Sequence, residues 1–282
     1  MTLKRIPIIL IALFCLTFTL VAQAQQTRTY NTVKTKLAAG KQVVGGTITT
    51  SDPDIYCAVA NSGFDFLWIE MQHSPLTYDQ VARMIWACKD APAIPFIRVP
   101  DATEGDIQKA MDIGALGIIL PMVDDPQKAA NAVKFANYPP MGKRSQGGGQ
   151  YRRLWGDDYR QTINENLMIV AMIENPAGVA IADKIAAVSG VDIVFAASGD
   201  LGSFSGFARD SEPYMKLVNK IHDETLKAGK YLAGPAAWRD RHGYLFFQGP
   251  GQGRLIGIGA EVALGGAPPE GRKDEATGDE TK

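Results

Sequence analysis

From Lys41 onward the chain alternates short apolar runs with longer amphipathic segments. The runs are "QVVGGTIT", "FDFLWIEM", "IPFIRVP", "GIILPMV", "LMIVAMIEN", "VDIVFAASG", "KYLAGPAA" and "GYLFFQG". They lack the every-second-residue polarity of a half-exposed sheet and suit parallel strands covered on both faces. Between them lie "DPDIYCAVANSG", "TYDQVARMIWACKDA", "EGDIQKAMDIG", "DPQKAANAVKFANY", "AGVAIADKIAAVSG" and "SEPYMKLVNKIHDETLKAG". Several begin at Asp, Ser or Thr and stop at Gly, as helices do. The pattern predicts the α/β class and a (β/α)₈ TIM barrel. An open doubly wound sheet is the runner-up, disfavoured because no Gly-x-Gly-x-x-Gly turn follows the first run.

Two intervals break the rhythm. Between the fourth and fifth runs stands "YPPMGKRSQGGGQYRRLWGDDYRQTINEN", whose glycines predict a mobile loop over the functional site. Between the seventh and eighth runs, "WRDRHG" is too short for a full helix. "GRLIGIGAEVALGG" closes the barrel as a helix, which a neighbouring subunit or the chain's own barrel is equally able to cover. Residues 266–282 have the composition of a disordered tail.

The first residues do not belong to this pattern. Lys4 and Arg5 precede an apolar stretch from Ile6 to Val21, followed by Ala22-Gln23-Ala24. That order predicts a signal peptide over 1–24, with an uncleaved anchor as the alternative, and a barrel domain over 25–265. The expected location is periplasmic or secreted, with no membrane contact after cleavage. Without Lys4 and Arg5, the 29 basic residues fall further below the 30 acidic ones, so nothing suggests a nucleic-acid partner. Cys57 and Cys88 remain. An oxidising compartment permits a disulfide, but two cysteines make no framework, and buried free thiols are the expectation.

In a barrel the carboxyl ends of the strands line the active site. Those ends hold Glu70 and His73, then Arg98, then Pro121 and Met122, then Glu174, then Ser198 to Asp200. Period-two counting puts Glu174 on the face of Met168, Val170 and Met172. It puts Asp200 on the face of Val194, Ala196 and Ser198, so both acids are expected to point inward. Two close carboxylates repel, and a hard dication such as Mg²⁺ or Mn²⁺ relieves them better than zinc does. Each residue also has a plain structural role open to it. Glu174 or Asp200 can cap the next helix, Arg98 can pair with Asp101, and His73 can be a loop histidine. Glu70, inside an apolar run, needs a partner in any case.

Taken together, "DFLWIEMQHSPL", "IPFIRVP", "ALGIILPMVDDPQKA", "YPPMGKRS", "MIEN" and "DIVFAASGDL" resemble the HpcH/HpaI class II pyruvate aldolases. The likeness runs from Thr47 to Leu201 and more weakly to Leu264. It implies a divalent metal, Mg²⁺ or Mn²⁺ with Co²⁺ as a third option, held by Glu174 and Asp200. Arg98 then holds the keto oxygen of pyruvate, His73 moves protons at the aldol hydroxyl, and Glu70 is its acidic partner. Gln72, Ser198 and Gly199 join Arg98 as expected substrate contacts. The family usually shows Asp-x-Glu-His where this chain has Glu70-Met71-Gln72-His73, and the eighth run lacks an aspartate often found there. Related barrels pack the final helix on a neighbour, which makes a homo-oligomer an expectation.

The chemistry fits that reading. Cleaving a 2-keto-4-hydroxy acid needs an electron sink at the keto oxygen and a base at the C4 hydroxyl. No lysine ends a strand, which counts against a Schiff base. The leading expectation is a metal-dependent carbon–carbon lyase with a small 2-keto acid as substrate. The alternative is a non-catalytic periplasmic keto-acid-binding protein on the same barrel. Strict alternation would put Glu70 and His73 on opposite faces, so the strand is expected to bend near Met71 and Gln72.

Overall fold

Side-chain oxygens at Asp52, Thr77, Thr103 and Asp125 each accept a backbone N–H from the first turn of the helix that follows. These caps satisfy donors that a helix start leaves open, and they mark where the chain turns back from sheet to helix. The computed structural model describes residues 27–266 except Ala197. Helix α1 (Thr32–Ala38) comes first. Then β1 (Val43–Ile48), α2 (Pro53–Ala60), β2 (Phe66–Glu70), α3 (Tyr78–Ala87), β3 (Ile94–Arg98), α4 (Glu104–Asp112), β4 (Gly117–Leu120) and α5 (Pro126–Ala136) alternate. Helices α6 (Tyr151–Trp155) and α7 (Tyr159–Asn166) lead into β5 (Met168–Ile173), α8 (Pro176–Ala180) and α9 (Ala182–Ala186). The chain ends with β6 (Ile193–Ala196), α10 (Ser198–Ser205), α11 (Glu212–Lys227), β7 (Tyr231–Pro235), β8 (Tyr244–Gly251) and α12 (Gln252–Ala263).

All strands are parallel and pair in sequence order, and β8 closes on β1. Each apolar run contains one strand, so the expected (β/α)₈ barrel is the fold. Only a 3₁₀ turn at Ala236–Trp238 joins β7 to β8, as the short interval required. Among the described residues no helix is long and apolar enough to cross a membrane. The signal-peptide reading lies outside the described residues, as does the tail reading beyond Gly266.

Aromatic rings fill the barrel. Phe66 stacks on Phe246 at 4.3 Å, and Phe96 lies 4.9 Å from Phe66 and 5.6 Å from Phe246. Glycine is required where these rings press on neighbouring strands. A Cβ on Gly45 would stand 2.2 Å from the Phe66 ring, and one on Gly117 2.0 Å from Phe96. One layer higher, Trp68 of β2 meets Phe195 of β6 at 5.3 Å. Strands β2 and β6 are not neighbours, so both rings project into the interior.

That contact corrects the expected phase of β6. Phe195 is interior, so Val194 and Ala196 face the helices, opposite to the period-two reading. The strand also stops at Ala196, and Ser198 to Asp200 form the first turn of α10. Alternation therefore does not govern where Asp200 points.

The glycine-rich segment is not a loop over the strand ends. It follows α5, which has already carried the chain back to the amino end of the barrel, the face opposite the active-site loops. Arg144 bonds Asp112 at the end of α4, and Gln150 donates to the carbonyls of Ala82 and Ile113. Arg144 also lies against the rings of Tyr138, Tyr151 and Tyr159. The segment is a packed connection.

Cys57 and Cys88 are joined as a disulfide with their Cα atoms 5.5 Å apart, which corrects the expectation of free thiols. They come from consecutive βα units, whose helices α2 and α3 lie side by side.

Candidate active site

The carboxyl rim assembles what the strand ends supply. Glu70 closes β2 and Arg98 closes β3, and the two are Cα partners across the ladder. Both follow an interior residue by two positions, Trp68 and Phe96, so both side chains emerge over the barrel mouth. Glu174 stands one residue beyond β5. The Arg98 guanidinium spans the mouth between them, with one NH2 group 3.2 Å from Glu70 and the other 2.9 Å from Glu174. All three side chains are at least nine-tenths buried, so these are charge-assisted bonds of low screening.

The structural alternatives for these residues fall to other side chains. Asp101 pairs with Lys128, leaving Arg98 to the two glutamates. Asn175 caps α8 in place of Glu174.

Glu174 has a second set of contacts. Its Oε2 accepts the backbone N–H of Met122, just past β4. Met122 sits at φ 51°, a left-handed conformation that a side chain other than glycine adopts at some cost. Asp200, entering α10, is near enough for its charge to act on Glu174. Burial first, with the Asp200 charge adding to it, pushes the Glu174 carboxyl up to about 7, against the opposing pull of Arg98 and the Met122 N–H.

The strand does end at Glu70, and residues 72–74 bend. The bend is held by Glu70 itself, whose Oε1 accepts the backbone N–H groups of Gln72 and His73 at 2.9 and 3.1 Å. Its Oε2 accepts from Trp68 Nε1 at 3.1 Å. Glu70 thus meets His73 through the backbone, which corrects its expected role as partner of the imidazole. His73 is exposed at the rim. Gln72 Oε1 and Arg98 Nε are buried without a protein partner. Gly199 lies with Asp200 in the first turn of α10, where the backbone of Ser198 begins the helix.

Two participants escaped the reading of the sequence. Trp68 was legible in principle, two residues before Glu70 on the same face. The Met122 amide was not, since a backbone donor carries no side-chain signature.

Among the described residues no group of three or more His, Cys, Asp or Glu forms a ready cation cage. The donor set at Glu174 and Asp200 is two carboxylates, and one of them is raised to about 7. Such a pair suits a hard, oxygen-preferring dication whose remaining ligands are water and substrate.

Residues 48–232 match the family described as HpcH/HpaI aldolase/citrate lyase. A hydroxypyruvate/pyruvate aldolase of Delftia acidovorans is 34% identical over 180 residues, 61% of this chain and 66% of that one. Another, from Chromohalobacter salexigens, is 33% identical over 214 residues, 73% of this chain and 82% of that one. A crystal structure of an HpcH/HpaI aldolase/citrate lyase family protein from Burkholderia cenocepacia superposes with a TM-score of 0.76. It is 25% identical and covers 83% of this chain and 98% of that one. With the matched segment running from the end of β1 to the start of β7, the chain belongs to the HpcH/HpaI aldolase/citrate lyase family.

Proposed function

We propose that this protein is a metal-dependent carbon–carbon lyase that cleaves, or forms, a 2-keto-4-hydroxy acid with pyruvate as the released keto acid. The observation that carries the reading is the bridge of Arg98 between Glu70 and Glu174, with Asp200 beside Glu174, at the carboxyl rim of the barrel. Relatives named as aldolases support the reaction type.

Glu174 and Asp200 would hold Mg²⁺, Mn²⁺ or Co²⁺. Once bound, the cation supplies Lewis-acid stabilisation of charge on the keto acid's oxygens. Arg98, pinned by two glutamates, presents a guanidinium held in one orientation, and so favours negative charge as it develops on the keto oxygen. The C3–C4 bond breaks as the C4 hydroxyl proton passes to His73, and its electron pair moves into the enolate. C4 leaves as the aldehyde carbonyl, and the proton held by His73 returns to C3 to give pyruvate. Gln72 and the backbone at Ser198 and Gly199 would position the substrate carboxylate. Glu70 is a positioning residue, since it shapes the turn that carries His73 and holds Arg98 from one side.

A second reading, a keto-acid-binding protein without turnover, is favoured by one observation. Glu70 is occupied by Trp68, Arg98 and two backbone amides, so it does not orient the imidazole. Pyruvate release from a panel of 4-hydroxy-2-keto acids, with each cation in turn, separates the two. Release that disappears in Glu174→Ala and Asp200→Ala supports the lyase, and pyruvate binding without release in every condition supports the binding protein.

We also propose that the mature chain is exported and acts as a homo-oligomer. The Cys57–Cys88 bond suits an oxidising compartment. Helix α12 packs on its own barrel through half-buried Leu255 but has no fully buried residue and leaves Ile256 and Val262 exposed, as a surface kept for a second copy would.

A further inference from the structure

Helix α5 opens with a residue that a helix start does not favour. Lys128 stands third in α5, in the turn where the helix dipole prefers an acid, and no acid shares that turn. Its backbone N–H is held by the Asp125 carbonyl at 3.1 Å. Its side chain runs back to the rim, where it is 26% exposed. There Nζ lies 3.3 Å from the Met122 carbonyl oxygen and 2.9 Å from Asp101 Oδ1. Asp101, in the loop after β3, is steadied in turn by the Ala102 N–H at 2.7 Å.

That carbonyl belongs to the residue whose N–H donates to Glu174. Met122 is therefore held at both ends of its own backbone, by Glu174 at the nitrogen and by Lys128 at the oxygen. Between those bonds it stands at φ 51°, where a side chain makes the backbone costly. Without a hold on the carbonyl, local preference favours a right-handed or extended backbone, which re-aims the N–H. The next two residues are tied elsewhere. The Val123 N–H donates to the Met172 carbonyl at 2.9 Å, and Asn175 donates to Asp124 at 3.0 Å. Neither bond reaches the Met122 carbonyl. The pairing with Asp101 offsets the Lys128 charge, so what the rim receives from Lys128 is chiefly a hydrogen bond.

We infer that Lys128 is a positioning residue for the cation site, a latch that keeps Met122 left-handed so that its N–H orients Glu174. The Glu174 carboxylate is then fixed at both oxygens, by Arg98 at Oε1 and by Met122 at Oε2. Groups that orient a ligating carboxylate set metal affinity almost as the ligands do. The inference rests on the lyase reading above for Glu174 and Asp200 as the cation's ligands. It adds a residue that acts on Glu174 through one backbone bond.

The test is titration of the purified protein with Mn²⁺, with the free ion followed by electron paramagnetic resonance. In Lys128→Met the dissociation constant is expected to rise about five- to tenfold, the worth of one hydrogen bond. Lys128→Arg keeps a donor for the carbonyl and a charge for Asp101, and stays within about twofold of wild type. The deciding comparison places Lys128→Met on a Met122→Gly background. Glycine adopts φ 51° freely, so the latch has nothing to hold, and Lys128→Met there moves the constant less than about twofold. Unfolded protein lowers the number of sites and leaves the constant of the folded ones unchanged, so lost stability does not mimic the effect. An unchanged or tighter constant in Lys128→Met overturns the inference, as does an equal rise on both backgrounds. Glu174→Gln separates the two levels. If it weakens Mn²⁺ binding and Lys128→Met does not, the latch alone falls. If neither weakens it, the cation site assigned to Glu174 falls as well.

Discussion

Arg98 and Glu174 meet at 2.9 Å although they come from β3 and from the end of β5, strands that are not neighbours. The bond therefore crosses the barrel mouth, and the same guanidinium holds Glu70 on its own side. Removing it would leave two buried carboxylates unpaired. Arg98→Ala is expected to cost about 3–5 kcal/mol of stability, the usual penalty for breaking a buried pair. Pyruvate release is expected to fall by about two to three orders of magnitude, as when a preorganised oxyanion donor is lost. Urea titration and a coupled assay on the same preparations measure both. A variant of wild-type stability would show that the bridge is not a coupled buried unit.

Glu174 gives a pH dependence with a definite sign. Burial raises its carboxyl to about 7, so below that pH a proton occupies the position a dication needs. Affinity for Mg²⁺ or Mn²⁺ is expected to rise with pH through about 7, with proton release on binding. The metal-free protein has the complementary behaviour. A raised carboxyl binds its proton more tightly when folded, so this contribution to stability is full below the ordinary carboxylate range and is lost as pH rises through about 7. Calorimetric titrations in buffers of different ionisation enthalpy report the proton, and Glu174→Gln should abolish both its release and the pH dependence.

Much of this is legible in the sequence. Parallel strands covered on both faces leave uninterrupted apolar runs, so all eight strands could be read directly. The polar residues that interrupt those runs at Glu70, Arg98 and Glu174 mark the rim. What the pattern does not carry is the point where a strand stops. The run at β6 continues in apolar and small residues past Ala196, yet the backbone has become helical by Ser198. Asp200 reaches Glu174 by that route, with the opposite strand phase. The glycine-rich segment misled for a related reason, because its distance from β4 in sequence conceals that α5 has reversed the direction of the chain. The pairing of Cys57 with Cys88 depends on which helices become neighbours, a consequence of the fold and not of spacing.

The disulfide is open to a direct test. It ties α2 to α3 across a sequence separation of 31 residues, and a cross-link of that span is worth about 2–4 kcal/mol through the unfolded chain. Cys57→Ser and Cys88→Ser should each destabilise the protein by that amount, and the double variant by no more than either alone. Peptide mapping without reductant should recover the two cysteines in one cross-linked fragment. Free thiols at Cys57 and Cys88 in the unreduced, unfolded protein would contradict the bond.

Helix α12 follows β8 directly, yet none of its residues is buried, and Ile256 is 59% exposed on one turn with Val262 43% exposed further along. The first turn of α12 is tied to the barrel, where Gln252 bonds Thr49 and Leu255 packs against the core, and its outer face beyond that turn is left for another surface. A second copy of the chain would bury these side chains, and burying one large aliphatic residue is worth about 1.5–3 kcal/mol. Light scattering on the protein without residues 1–24 is expected to give a mass above that of one chain. Ile256→Asp with Val262→Asp should lower it to one chain while leaving the far-ultraviolet circular dichroism of the barrel intact. A wild-type mass of one chain across the micromolar range would remove the oligomer and leave α12 as an exposed helix with no role in assembly.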